Sequence, residues 1–178
     1  LNPDGSFEAE GGISSADGSL RITGTHAKTG VALNLKGSKF LAANIPGARV
    51  TIAPDLALTG KLDAMLLKGA VTIENADVNL EKLSIARSYS ASPDVVIVDR
   101  EQEVKRQSMG LTADVRILLG EGVKLAGFGL ESTVNGELRV TERPNEVSRA
   151  SGEIRVAGTY EAFGRKLNIE RGSLQYAG

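Results

Sequence analysis

The sequence predicts an all-β protein, and three observations carry that expectation. Apolar and polar residues alternate over long stretches, most cleanly from Ser151 to Gly178. There Ile154, Val156, Tyr160, Leu167, Ile169, Leu174 and Tyr176 are interleaved with Glu153, Arg155, Glu161, Asn168, Glu170 and Gln175. A period of two sends one set of side chains toward something apolar and the other toward water, as in a half-buried strand. Glycines punctuate the alternation at spacings that suit short strands joined by tight turns. Helical spacing, the third observation, is confined to one short segment between residues 61 and 68.

The elements follow in order. Leu20, Arg21, Ile22 and Thr23 form the first clear strand candidate, after the turn residues Asp17, Gly18 and Ser19. Residues 31–36 follow Thr29 and Gly30 and stop at Gly37. Residues 49–52 and 56–59 flank Pro54 and Asp55, a pair that reads as a turn because Pro presets one dihedral and Asp caps the bend. Strand candidates 71–73 and 78–80 come next, interrupted by Glu74, Asn75, Ala76 and Asp77. Alternation resumes at 111–117 and continues through 123–125, 137–141 and the C-terminal run. Between 61 and 68, Leu62, Met65 and Leu66 fit one or two helical turns as well as they fit a strand. Residues 87–110 differ in kind, with Ser-rich and charged flanks around an apolar core at 94–98. They predict a mobile, solvated loop holding at most an isolated strand. Gly-Ser-apolar triplets at Gly5, Gly18 and Gly172 recur without a fixed period, so no strict repeat is present.

The bulk numbers narrow the class. A length of 178 residues suits one domain, 1–178. The chain begins at Leu1 without an initiator Met and stops at Gly178 inside a strand-like pattern, so it reads as a fragment of a longer protein. Hydrophobic residues make up 41%, too many for a disordered tail, yet no run approaches the roughly 18 apolar residues of a membrane-spanning helix. Aromatics are 4% with no Trp, so the apolar surface must be aliphatic. Net charge is -1, with 21 basic and 22 acidic residues interspersed, which argues against nucleic acid as a partner. The absence of cysteine removes disulfides, thiolate metal sites and cysteine nucleophiles.

Catalytic chemistry finds no support. His26 is the only histidine and reads as a turn or surface residue. Gly127-Phe128-Gly129 starts like a dinucleotide fingerprint, but Ser132 stands where its third glycine belongs. Carboxylates sit on the polar phase beside basic residues, as Glu137 does near Arg139 and Glu153 near Arg155. Ion ladders on a wet face account for them. No enzyme, metal or cofactor is expected. What remains is the apolar phase, which has two readings. It is the core of a closed sandwich, or, if the sheet curls and stays open, a greasy groove. In such a groove a guest gains about 0.8 kcal/mol per buried methylene, on the order of 10 kcal/mol for an acyl chain before costs.

A resemblance bears on that choice. Gly127-Phe128-Gly129-Leu130, Gly136-Glu137-Leu138-Arg139-Val140, Gly152-Glu153-Ile154-Arg155-Val156 and Tyr160-Glu161-Ala162-Phe163-Gly164 come in series before Leu167-Asn168-Ile169-Glu170-Arg171-Gly172-Ser173-Leu174. With Asn44-Ile45-Pro46-Gly47-Ala48-Arg49-Val50, Pro54-Asp55-Leu56 and Asp94-Val95-Val96-Ile97-Val98-Asp99, these pieces touch nearly the whole chain. In order and spacing they resemble the C-terminal conserved domain of the TamB family. One departure is visible: Glu74 follows Ile73 where a proline is expected, so the bend there is built differently.

The resemblance implies an elongated, twisted sheet curled into an open half-pipe, a β-taco-like groove, with an aliphatic interior. It implies a periplasmic location, with the full-length parent anchored in the inner membrane. The implied partner is a TamA-like outer-membrane barrel of the Omp85 type, and the implied cargo is phospholipid or unfolded outer-membrane protein strands. The expected role is outer-membrane biogenesis, including phospholipid transport and autotransporter assembly. The residues expected to line the groove are Leu33, Leu35, Ile52, Leu56, Leu58, Val71, Ile73, Val115, Ile117, Leu138, Val140, Ile154, Val156, Leu167 and Ile169. Leu174, Gln175, Tyr176 and Ala177 are the expected edge strand for pairing with a partner. In the alternative, that edge is the functional element and the apolar face is only a closed structural core.

Overall fold

The computed structural model of the protein describes residues 6–15, 17–28, 30–61, 63–83 and 110–178. Among these residues ten strands form a single sheet: β1 Phe7–Ser15, β2 Gly18–Ala27, β3 Gly30–Ser38, β4 Phe40–Ile45, β5 Ala48–Lys61, β6 Ala64–Asn79, β7 Leu111–Gly127, β8 Leu130–Glu142, β9 Arg149–Ala162 and β10 Arg165–Ala177. The spatial order is β1-β2-β3-β5-β6-β7-β8-β9-β10, with β4 paired to β5 beyond the end of β3. Every pairing is antiparallel except β6 with β7, which is parallel. β1 and β10 end the order without meeting, so the sheet is open rather than closed into a barrel.

Most connections are as short as a chain reversal permits. β4 pairs up to Ile45 with Ala48, β7 up to Gly127 with Leu130, and β9 up to Ala162 with Arg165, each leaving a two-residue turn. Such loops fix register, and with it which side chains share a face. Helical geometry among the described residues is limited to the turn at 80–83, where β6 ends. Asn79 caps it, its side-chain oxygen accepting from the Lys82 N–H at 3.0 Å, the pairing an N-cap residue makes with the third helical position.

Three expectations need correction. Pro54 and Asp55 are not a turn: β5 runs through them, with Pro54 opposite Val71 and Asp55 opposite Ala70. On the other side of β5, pairing with β3 ends at Asp55 and pairing with β4 starts at Ile52. Pro54 therefore sits in the gap, where a missing N–H costs no ladder bond. The helical alternative for 61–68 also fails. Lys61 ends β5, and Met65 and Leu66 begin β6 opposite Gly60 and Thr59; Leu62 lies outside the described residues. Finally, 71–73 and 78–80 are not separate strands but parts of β6, whose last residue is Asn79. The expected loop at 87–110, with its possible strand at 94–98, lies outside the described residues except for Gly110.

Irregularities within the strands supply the curl. The β5–β6 register shifts between Ile52↔Ile73 and Thr51↔Asn75, leaving Glu74 as the extra residue. The bend expected there is thus a bulge instead of a proline. β7 carries extra residues between Leu119 and Lys124, and β10 between Ile169 and Gly172. Gly136 and Gly152 act reciprocally across β8 and β9. Both have φ near the mirror-image β region (139° and 137°). A Cβ on Gly136 would overlap the Glu153 carbonyl oxygen, and one on Gly152 the Glu137 carbonyl oxygen. Bulges and glycine kinks of this kind are how an extended sheet is made to curve.

Burial is shallow. The buried hydrophobics among the described residues are Ala76, Val123 and Val134, on β6, β7 and β8, with Val50, Ile73, Val78, Leu119, Leu125, Ile154 and Val156 packed around them. A closed sandwich would bury far more.

Candidate functional site

Register assigns each side chain to a face, because residues directly opposite in a ladder point the same way. Starting from Leu33, the pairs Leu33↔Leu58, Leu58↔Leu67, Leu35↔Leu56, Val71↔Ile117, Ile73↔Leu119 and Ile52↔Ile73 link β3, β5, β6 and β7. Val115↔Val140 and Ile117↔Leu138 carry the same face into β8, and Val134↔Val156 and Gly136↔Ile154 carry it into β9. Leu167↔Tyr160 and Ile169↔Gly158 complete it in β10. All fifteen residues expected to line the groove therefore lie on one face.

The bulges keep that face apolar. In β6 the positions on this face are odd up to Ile73 and even from Ala76, a change of phase absorbed at Glu74. In β10 they change from Leu167 and Ile169 to Leu174 and Tyr176 across Glu170 and Arg171. Of the expected edge residues, Leu174 and Tyr176 thus share the apolar face, and Gln175 and Ala177 point the other way. Among the described residues β10 is an edge of the sheet, paired to β9 alone.

Sequence reasoning missed much of the same surface: Phe7 and Ile13 in β1, Ile22 in β2, Ile45 in β4, Met65 and Leu67 in β6, and Leu119, Val123 and Leu125 in β7. The signal that could have found Ala76 and Val78 is the phase change itself, which the intervening Glu74 and Asn75 disguised as a break between strands.

Over the paired positions, the charged side chains on this face are two, both at its margin: Glu142 opposite Ala113 and Arg165 opposite Ala162 at the start of β10. His26 also lies on it, in β2 rather than in a turn as expected, stacked on Phe7 with ring centroids 5.1 Å apart. Ser132 is buried but satisfied, its hydroxyl donating to the Leu125 carbonyl at 3.1 Å. Ile13, Leu33, Leu167 and Leu174 are exposed despite their size, so the face has large areas that no described residue covers. At one end it deepens into a concavity of about 1020 Å³ bounded by Leu80, Gly127, Phe128, Leu130, Tyr160, Leu167 and Ile169, with Asn168, Glu170 and Arg171 at its lip.

The opposite face is polar and carries the ion pairs. Arg139 reaches diagonally from β8 to Asp114 of β7 in a two-pronged contact, Nε to Oδ1 at 2.7 Å and Nη2 to Oδ2 at 2.6 Å. That hydrogen bonding, opposed by partial desolvation and helped by the nearby charges of Arg139, Lys68 and Arg116, holds the Asp114 carboxyl below its ordinary range. Glu137 pairs with Arg116 rather than with Arg139, and Glu153 pairs with Arg155 along β9. The Glu153 hydrogen bond raises the Arg155 guanidinium above its usual value. These contacts are exposed and contribute little individually. They do fix which face is wet. An aliphatic surface backed by a charged one can exclude water from a hydrophobic guest.

The sequence matches the profile of the TamB C-terminal domain over residues 4–178. It is also similar to the translocation and assembly module subunit TamB of Haemophilus influenzae, 24% identical over 187 aligned positions that cover 95% of this chain. The chain spans only 14% of that relative's length.

Proposed function

The chain belongs to the TamB family as a C-terminal domain, and from that premise we propose that it serves outer-membrane biogenesis as a non-enzymatic hydrophobic conduit. In this reading it lies in the periplasm, within a parent anchored in the inner membrane. Its apolar face shields phospholipid acyl chains from water between the two membranes. Leu33, Leu35, Ile52, Leu56, Leu58, Val71, Ile73, Val115, Ile117, Leu138, Val140, Ile154, Val156, Leu167 and Ile169 supply dispersion contact and water exclusion. The observation that carries the reading is the persistence of one apolar phase through ten strands, maintained across every register shift. A phase that served only a core would not need to continue onto residues as exposed as Ile13 and Leu174. Each methylene of a guest laid along it gains about 0.8 kcal/mol.

A second reading is favoured by a different observation. β10 is an edge strand whose outer backbone pairs with no described residue, so it could add to the sheet of a TamA-like outer-membrane barrel. Unfolded outer-membrane protein strands would then be the passenger.

Photoreactive side chains separate the two. A probe at Leu138 captures phospholipid and a probe at Arg139, its neighbour on the polar face, does not. Val140→Asp or Ile154→Arg abolishes lipid carriage while partner binding persists. Equal labelling at positions 138 and 139, or lipid carriage that survives both charges, rules out a one-sided lipid surface.

A further inference from the structure

Two neighbouring hairpin tips carry the same residue where the backbone least favours it. β7 and β8 are joined by Phe128 and Gly129, and β9 and β10 by Phe163 and Gly164. All four have positive φ: 52° and 84° in the first turn, 52° and 69° in the second. Positive φ at both central positions is the type I′ geometry, which selects Asn or Asp followed by Gly. Phenylalanine is disfavoured there, because its Cβ crowds the left-handed backbone and its ring has no local hydrogen bond to offer. Side-chain packing compensates little, since Phe128 is 62% exposed and Phe163 is 104% exposed; the Phe128 backbone N–H does donate to the Glu81 carboxylate, but its ring takes no part in that contact. The tips lie side by side, with the Glu161 N–H donating to the Gly129 carbonyl at 2.8 Å. A strained, solvent-facing aromatic that recurs on adjacent hairpins points to a role outside the fold.

We propose that Phe128 and Phe163 are a pair of membrane anchors that insert into the boundary between headgroups and acyl chains and seat this end of the sheet on a lipid surface. Three features favour lipid over protein. Each tip is a single ring beside glycine, a point of insertion rather than an area large enough for a stable protein interface. The charges at the tips are mixed, Arg165 and Lys166 with Glu81, Glu131 and Glu161, so neither a strongly basic nor a strongly acidic partner is selected. Phe128 also bounds the concavity that continues over Leu130, Tyr160 and Leu167 onto the apolar face. An acyl chain leaving a leaflet beside Phe128 would meet apolar surface at once. That last purpose rests on the conduit reading, whereas the anchoring does not.

The test uses the residue the turn prefers. Phe128→Asn with Phe163→Asn leaves the 178-residue chain at least as resistant to heat as the parent sequence. It lowers flotation with phosphatidylethanolamine–phosphatidylglycerol vesicles by roughly tenfold for each ring removed. Flotation of the parent sequence changes little between low and high salt, because insertion rather than charge drives it. Equal flotation of parent and variant, no flotation of the parent, or a variant that melts well below it would each overturn the proposal. So would a variant that floats normally but fails to bind a partner barrel. Capture of a short-chain monomeric phospholipid by a probe at Leu138 is read in parallel, and anchoring predicts that it survives in the double variant. Loss of that capture from the parent sequence itself, with flotation intact, would sink the conduit and leave the anchors standing.

Discussion

Val134 in β8 and Ile13 in β1 occupy the same face of the same sheet, yet Val134 is 8% exposed and Ile13 is 51% exposed. Both obey the same alternation, and each has an antiparallel partner on the same face, Ile13 with Leu20 and Val134 with Val156. What differs is what lies around them. Among the described residues β1 is an edge, paired only to β2, and neither the β1–β2 nor the β2–β3 ladder contains a register shift. β8 lies between two long strands, in the part of the sheet where shifts and left-handed glycines concentrate. There Val50, Ile73, Val78, Leu119, Leu125, Ile154 and Val156 pack around Ala76, Val123 and Val134 and cover them. Alternation decides which way a side chain points. Curvature decides whether anything meets it.

Substitutions can break or sharpen that contrast. The largest effect is expected from Gly136→Val, which forces a Cβ onto the Glu153 carbonyl at a φ of 139° and should destabilise the sheet by about 3 kcal/mol or more. Urea denaturation followed by circular dichroism measures it. A midpoint close to that of the unaltered chain would show that the kink is not required for the curved region. Val134→Ala follows, at about 2 kcal/mol in the same assay. Ile13→Ala should cost under about 1 kcal/mol because its site is already open to water. If the two losses were equal, the difference in burial between the regions would have no energetic meaning. Val140→Asp, on the curved part of the lipid face, tests carriage instead of stability, as set out above.

The smallest effect belongs to the polar face. The Asp114 carboxyl is held low in the folded protein by Arg139. Its contribution to stability is therefore complete above the range where an unfolded aspartate titrates, about pH 4, and fades as pH falls through the folded value. Asp114→Asn should flatten the acid side of a plot of urea midpoint against pH and change little at neutrality. An unchanged acid limb would mean that the contact with Arg139 is too exposed to register in folding.

Much of this was legible in the sequence because alternation is a local signal. Leu33, Leu138 and Ile154 could be assigned to one face from their neighbours alone. Bends were harder. Pro54 looked like a turn because its turn-forming habit is local, whereas the gap between β3 and β4 that accommodates it belongs to the sheet. Met65 and Leu66 fit a helix by spacing, and only pairing with Gly60 and Thr59 makes them a strand. At Glu74 and at Glu170 with Arg171 the alternation changes phase, which in sequence resembles an ending and in the sheet is a bulge. The strained Phe128 and Phe163 carry no periodic signature at all, since a type I′ turn is recognised from its usual residues and both turns break that preference.

The parallel seam between β6 and β7 has a consequence in time rather than in shape. On either side of it the chain is a run of hairpins, whose partners are close in sequence and can zip in microseconds. The seam joins Met65 to Leu111 and Ile73 to Leu119, contacts between residues far apart in sequence, whose pairing is entropically slow. Two preassembled halves meeting late would make the seam the rate-limiting nucleus. Ile73→Val or Leu119→Ala should then slow refolding, whereas Ile13→Val should act on unfolding alone. Stopped-flow traces in which all three variants refold at the rate of the unaltered chain would assign the slow step elsewhere.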